Sequence, residues 1–357
     1  MKLPSSLLLK KRLKALIDKL QKEKVDGCIV ESPVDLHYLT GLSLSLGTLC
    51  IFKGESCLFV DGRYIQTAKE KSPVAVEMLE GKNLHSFLQR CAPKNIAFDA
   101  ETTTYAEFEK LGSRFPKVKL TPYPGLLKEL RLIKDSFELD AMRRSAALLW
   151  KGYRYLQKRV RKGVSEIELA REFEFFCREN GAEKLSFDPI IAFGKNSAMP
   201  HYRAGETLLK SGDIVLIDIG VQVDSYCSDM TRTLFFGTPD PKLKKWQAIV
   251  KESHDAALKI CKAGVRAGAL DEAAREVMKR EGVEEYYLHS LGHGVGLEIH
   301  EYPRLKSTGV DKDLLLKPGM VITVEPGLYL SGKGGIRYED TIIVTKSGYE
   351  NLYPEEK

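Results

Sequence analysis

Five side chains in the C-terminal part of this chain could together hold a pair of metal ions: Asp218, Asp229, His293, Glu325 and Glu339. They lie in the stretches IDIGVQVDSYCSDMTRT, HSLGHGVGLEIHEYP, KPGMVITVEPGLY and GGIRYED. Carboxylates with one imidazole suit hard or borderline divalent ions that share bridging oxygens. A summed charge of about −4 balances two such ions, and a water between them ionises near neutral pH. That chemistry is hydrolysis.

Each motif has a plainer reading that has to be weighed. A lone Asp is most often a turn or cap residue, and an Arg–Glu pair two apart on a strand, as at Arg337 and Glu339, is most often a structural salt bridge. Here Asp218 ends the apolar run IVLID and Glu325 ends VITVE, stopped by Pro326-Gly327. Carboxylates delivered from apolar strands are expensive to bury unpaired, and a shared metal charge explains their convergence. His289, His293 and His300 stand among Gly292, Gly294 and Gly296, which argue against a helix and allow close backbone approach to a ligand. The site is therefore not the H-E-x-x-H helix of a zinc protease.

The elements that must position these groups read as two regions. A basic amphipathic helix comes first, with Leu9, Leu13, Leu16, Ile17 and Leu20 on one face and lysines on the solvated other. Strands GCIVES, SLGTLCIFKG and ESCLFVDGRY follow, the last two joined by a hairpin at Lys53-Gly54-Glu55. Helices near 65–71 and 83–90 and a strand NIAFDA complete a mixed α/β domain, predicted to span 1–124. Pro122, Pro124 and Gly125 mark the boundary. The second domain, 125–357, starts with a long amphipathic helical stretch that Asp135-Ser136 can divide by capping. A capping box at Ser165/Glu168 opens the next helix. Strands DIVLIDIGVQV, CSDMTRTLFFG, MVITVEPGLYL and GIRYEDTIIVT then dominate, interrupted by helices near 244–263 and 270–281. A hairpin turning at Val223–Ser225 brings Asp218 and Asp229 onto one face.

Bulk properties narrow the classes. The 357 residues carry a formal charge of +6, 43% hydrophobic and 29% charged residues, an ordinary globular balance that gives no reason to expect nucleic acid or a membrane as partner. The seven cysteines are scattered, with no C-x-x-C, which fits reduced thiols and disfavours a zinc–thiolate site. Neither a signal peptide nor an apolar stretch near the roughly 20 residues of a membrane span is evident, so a cytoplasmic protein is expected.

Taken together, the motifs resemble those of the "pita-bread" metallopeptidases, the group of methionine aminopeptidase, Xaa-Pro aminopeptidase and Xaa-Pro dipeptidase (prolidase). YLTG at Tyr38–Gly41 and DGRY at Asp61–Tyr64 resemble the creatinase-like accessory domain of the proline-specific branch. The resemblance implies an α/β fold: a mixed N-terminal domain, then a curved antiparallel sheet covered by helices. It implies that Asp218 and His293 bind different metals, that Asp229 and Glu339 bridge, and that Glu325 ligates on the His293 side and accepts the proton of the attacking water. It further implies that His201, in SAMPHYR, contacts the scissile bond, that His300 stabilises the substrate carbonyl, that His289 lines the pocket and that Arg337 orients neighbouring acids. Two divalent ions are implied, Mn²⁺ first, with Co²⁺ or Zn²⁺ as alternatives. A homodimer is implied as well, with Asp35 and His37 near its border, although local turn and packing roles suit those two better.

Methionine aminopeptidase is disfavoured by the N-terminal domain and by Arg337, where that group typically has glutamine. Creatinase, or a non-catalytic binding protein of this fold, would lack ligands that are all present here. An imide bond before proline has no N–H and carries a ring, so a dedicated pocket is needed; Tyr202, Tyr302 and Tyr329 are candidates to line it. Substrate length is open between Xaa-Pro aminopeptidase, placed first, and Xaa-Pro dipeptidase. The second needs a cation for the proline carboxylate, which Arg304 in HEYPRLK could supply.

Overall fold

The structure is a computed structural model and describes residues 2–52 and 54–354. It divides into two compact units, the first Lys2–Arg131 and the second beginning at Leu132. In the first, helix α1 (Ser6–Lys22) buries Leu9, Leu13, Leu16 and Leu20 and leaves most of its lysines in solvent. The sheet comprises β1 (Gly27–Val30), β2 (Thr48–Phe52), β3 (Glu55–Val60), β4 (Ala75–Met78), β5 (Asn95–Asp99) and β6 (Lys119–Tyr123), in the order β4-β3-β2-β1-β5-β6. Lys53 of the expected hairpin lies outside the described residues; β2 and β3 on either side of it pair antiparallel. Helices α2 (Pro33–Thr40), α3 (Ile65–Lys71), α4 (Gly81–Cys91) and α5 (Tyr105–Arg114) complete the unit, with the short α6 (Lys128–Leu132) at its end.

Two local expectations fail here. VDLHYLTGL, given no element from sequence between the strands GCIVES and SLGTLCIFKG, is helical because Ser32 caps it, Pro33 occupies the first turn and Gly41 ends it at φ 72°. Pro122 does not break the chain but sits in β6, an edge strand where a missing N–H is tolerated.

The second unit opens with α7 (Ser136–Gln157), set off from α6 by a full Asp135/Glu138 capping box, and α8 (Glu166–Glu179). Ser165 caps α8, but Glu168 pairs with Arg161 at 2.6 Å instead of turning back to close a box. The strands are β7 (Lys184–Leu185), β8 (Ile190–Phe193), β9 (Ile214–Ile219), β10 (Val221–Val223), β11 (Tyr226–Cys227) and β12 (Met230–Phe235). Helices α9 (Pro241–Ile260) and α10 (Ala267–Arg280) precede β13 (Gly292–Gly294), β14 (Glu301–Leu305), β15 (Val321–Val324), β16 (Gly327–Leu330), β17 (Gly334–Arg337), β18 (Asp340–Val344) and β19 (Tyr349–Asn351). Two antiparallel arrays matter most: β12-β9-β8 and β14-β13-β15-β18-β19.

Each long strand expected from sequence is broken near a carboxylate. DIVLIDIGVQV splits at Gly220 into β9 and β10, and MVITVEPGLYL splits at Glu325-Pro326. Asp224 and Ser225 both have positive φ (50° and 68°) in the two-residue turn between β10 and β11, the conformation a tight hairpin requires. A core of Ile191, Val215, Ile217, Leu149 and Phe173 joins the first array to α7 and α8. A second core packs Ile322, Val324 and Ile342 against Leu270 and Ala274 of α10. Among the described residues no helix is long and apolar enough to cross a membrane, and all seven cysteines are free.

Candidate metal centre

Asp218 belongs to the ladder of β9. It lies opposite Thr231 of β12 and Ile190 of β8, so these three side chains share one face. Asp229 precedes β12, Glu325 follows β15 and Glu339 precedes β18. Val324 and Asp340 are the last opposed pair of β15 and β18, which leaves Glu325 and Glu339 facing each other just off the ladder's end. His293 is the middle residue of β13, with a bulge after it. A side chain on either neighbouring glycine would overlap backbone: Gly292 against the Thr323 carbonyl, Gly294 against Tyr302. The glycine spacing is thus a steric condition for seating the imidazole.

All five side chains line one cavity of about 700 Å³, together with His201, His289, His300, Arg337, Arg304 and Tyr202. Asp229, His293 and Glu339 each offer a ligand atom within 4.8 Å of the others. His293 Nε2 is 3.4 Å from Glu325 and 3.7 Å from Asp229. Its Nδ1 faces the Gly294 carbonyl at 3.0 Å; that contact puts the proton on Nδ1 and leaves Nε2 as a lone pair aimed at the acids. The rings of His293 and His300 meet edge to face at 4.5 Å.

Without a cation this arrangement is electrostatically costly. Burial pushes Glu325 up to about 8. Burial, then Glu339, Asp218 and Glu325 beside it, raises Asp229 well above the carboxylate range, and Glu339 is raised for the same reasons. Burial lowers His293 to about 4, so the ring is a neutral donor. Asp218 Oδ1 is buried with no hydrogen-bond partner. Acids driven to hold protons, a neutral imidazole and an orphan carboxylate oxygen fit a divalent-ion centre, which would supply the missing positive charge.

A polar frame fixes the acids. Arg337 Nη2 bonds Asp218 at 2.5 Å, Nη1 bonds Tyr329 Oη at 2.9 Å and Nε bonds Thr231 Oγ1 at 3.0 Å. Thr231 in turn donates to Glu339 at 2.7 Å. His289 Nδ1 faces the Ser290 carbonyl, so its Nε2 accepts from Tyr329 Oη at 2.9 Å. Arg232, 1% exposed, bonds the Glu339 carbonyl at 2.6 Å and Asp340 at 2.7 Å. Although burial raises Asp340, Arg232 and His254 hold it well below the usual range. Thr231, Arg232, Asp340 and Tyr353 were not singled out from sequence. A charged residue inside the apolar run MTRTLFF was the available signal for Arg232.

Some expected residues lie elsewhere. Tyr302 packs against the core around Leu305 and Ile322, and Tyr329 is 4% exposed and bonded to His289 and Arg337, so neither offers a pocket wall. Tyr202 does line the cavity, its hydroxyl held at 2.7 Å by the fully buried Glu166. Phe187, Ile190 and Ile299 supply the apolar lining instead. In the first unit, Asp35 is buried and paired with Arg131 at 3.0 Å, and one ring nitrogen of His37, Nδ1, is buried without a partner.

Comparison with known proteins agrees with this architecture. The model of metallopeptidase family M24 matches residues 140–346, and that of the creatinase/prolidase N-terminal domain matches 12–133. A Pyrococcus furiosus Xaa-Pro dipeptidase is 34% identical, covering 98% of this chain and 99% of its own. The structure of an Xaa-Pro dipeptidase from Bacillus anthracis superimposes with a TM-score of 0.92 at 33% identity, covering 98% of this chain and 99% of that one. An X-Pro aminopeptidase from Thermotoga maritima gives 0.88 at 31% identity, with 95% and 98% coverage. The chain belongs to metallopeptidase family M24, carries a creatinase/prolidase N-terminal domain, and is a hydrolase dependent on divalent metal ions.

Proposed function

We propose that this enzyme is an Xaa-Pro dipeptidase, cleaving the imide bond of dipeptides. The observation that carries the reading is the β13–β14 register. Arg304 stands directly opposite His293, so the two side chains share a face, and Arg304 lines the acid-bearing cavity. A guanidinium there suits a free proline carboxylate, which it can grip with two hydrogen bonds. A longer peptide has no carboxylate at that point. The dipeptidase names of the Pyrococcus and Bacillus relatives support the same order, so the dipeptidase now precedes the aminopeptidase.

In this reading Asp218, Asp229, His293, Glu325 and Glu339 would hold two ions, Mn²⁺ first among the candidates for an oxygen-rich site. The ions, when bound, supply an activated water and polarise the carbonyl. Glu325 takes the proton of the attacking water and passes it to the departing proline nitrogen. His300, which lines the cavity, would donate to the scissile carbonyl as charge builds, and His201, lining it too, would contact the scissile bond. Phe187, Ile190 and Ile299 receive the ring, and Arg304 fixes its carboxylate. His289 acts through Tyr329 and Arg337 to hold Asp218. The family reading carries with it a homodimer and a cytoplasmic location, tested by light scattering and cell fractionation.

The deciding experiment compares Ala-Pro, Ala-Pro-NH₂ and Ala-Pro-Ala with the Mn²⁺-loaded enzyme. Ala-Pro is expected to be cleaved with a kcat/KM at least about tenfold above either carboxylate-blocked substrate. Cleavage of the tripeptide with Ala-Pro untouched restores the aminopeptidase. No hydrolysis of any of the three after full metal loading sinks the catalytic assignment.

A further inference from the structure

We propose that Asp271 and Arg275, on α10 and outside the cavity lining, are positioning residues that set the aim of Arg304. This rests on the dipeptidase reading above. Asp271 is fully buried. Its Oδ2 accepts from Arg275 Nε at 2.9 Å and from the Ser307 backbone N–H at 2.8 Å. Arg275 Nη2 donates to the His289 carbonyl at 2.8 Å, and its guanidinium lies 4.4 Å above the Tyr287 ring. One ion pair therefore grips the chain at His289, before β13, and at Ser307, after β14. Everything between those points is the hairpin carrying His293, His300 and Arg304.

The hairpin needs such a bracket because its own ladder is short. Only three residue pairs are in register, and a bulge follows His293. Flanking glycines add no side-chain packing at that point. Arg304 depends on both ends of the bracket: its Nε reaches Ser290 Oγ at 3.4 Å, next to His289, and its backbone lies three residues before Ser307. A helix–hairpin staple with only a folding role would support every group of the hairpin equally. The Arg304 backbone N–H has a tie of its own to Asp311 Oδ2 at 3.2 Å, but its guanidinium leans on the chain beside the bracket at Ser290, whereas the His293 backbone N–H is held away from the bracket by Thr323 Oγ1 at 3.0 Å. Loss of the pair should therefore loosen carboxylate recognition before metal binding.

The test is Arg275→Ala, Arg275→Lys and Asp271→Asn in the full-length, Mn²⁺-loaded enzyme. Arg275 is 23% exposed, so its variants should fold even if Asp271→Asn does not, and thermal melts establish which do. Expected for Arg275→Ala is an Ala-Pro KM raised about tenfold, with the KM for Ala-Pro-NH₂ and the Mn²⁺ affinity within about twofold of wild type. Arg275→Lys keeps the charge but cannot span Asp271 and His289 together, and should recover part of the loss. Equal KM changes for both substrates, or none, overturn the bracket. A wild type that does not discriminate Ala-Pro from its amide overturns the dipeptidase reading, and with it the aim assigned to Arg304. Discrimination by the wild type that survives in Arg275→Ala overturns the bracket alone.

Discussion

The two walls of the metal cavity are built in different ways. The acidic wall rests on regular ladders: β9 pairs with β12 over six residue pairs and β15 with β18 over four. Its backing is buried and cross-linked, from Arg232 and Asp340 to the Tyr353 and Thr341 hydroxyls on the Asp229 carbonyl. The histidine wall rests on a three-pair hairpin with a bulge, glycines that tolerate no side chain and a few side-chain ties. Backbone register places the acids; steric exclusion and staples place the imidazole and the guanidinium. The acidic wall should be tolerant where its backing is duplicated, as at the Asp229 carbonyl, and the histidine wall sensitive throughout.

The largest effect is expected where the walls meet. Asp229 faces His293 Nε2 and is the residue through which both would share a metal. Asp229→Ala should lower kcat/KM by about a thousandfold or more, roughly 4 kcal/mol, and abolish the metal-induced rise in Tm. A fully active variant with two bound ions removes Asp229 from the centre and breaks the picture of converging walls.

The next largest effect concerns the metal-free protein. Burial places Glu325 at about 8 in the folded chain, above its unfolded value. A carboxyl raised in this way adds no penalty below its unfolded pKa. As pH rises the unfolded chain ionises first, so folding stability falls until the folded group ionises too. The metal-free protein should lose stability between about pH 4.5 and pH 8, on the order of a few kcal/mol, and metal should flatten the curve. Urea melts at stepped pH measure this. A metal-free curve that is flat, or that rises across the window, shows that the acids are not mutually strained.

A smaller effect tests the backing of the acidic wall. Arg232→Met removes the donor to the Glu339 carbonyl and the partner of Asp340. Residues in such supporting positions typically contribute about 10- to 100-fold in metal affinity. A Co²⁺ titration followed by its visible absorption reads this directly. Unchanged affinity would mean that the β15–β18 ladder alone fixes Glu339.

The two walls also differed in how well the sequence revealed them. Asp218, Glu325 and Glu339 were visible because apolar runs such as IVLID and VITVE deliver a carboxylate that burial would otherwise penalise. His293 was visible through its glycines. The helix over Pro33–Thr40 and the proline-containing edge strand β6 were not, since their signals depend on a cap and on sheet position. Arg304 could not be assigned from spacing, because the bulge after His293 shifts the register that places it. Asp271 and Arg275, not singled out from sequence, are spaced as ordinary i,i+4 helix partners. Their second bonds, to His289 and Ser307, join segments distant in sequence, and no local pattern encodes them.

Tyr353→Phe should give the smallest effect, and it separates redundancy from simple burial. The Tyr353 hydroxyl donates to the Asp229 carbonyl at 2.7 Å and accepts from the Asp229 N–H at 3.3 Å. Thr341 Oγ1 donates to the same carbonyl at 2.8 Å. Removing one hydroxyl leaves the carbonyl satisfied and strands only the N–H, already the longer contact. A lost buried hydrogen bond of this kind costs about 1 kcal/mol of stability. Metal affinity should stay within about twofold, because the β9–β12 ladder still holds the backbone just after Asp229. Thr341→Val, which keeps shape and removes the other donor, should act alike, whereas the double variant should cost more than the sum, since the carbonyl is then left without either hydroxyl. If Tyr353→Phe alone lowers metal affinity tenfold, the acidic wall has no spare support and the contrast with the histidine wall disappears.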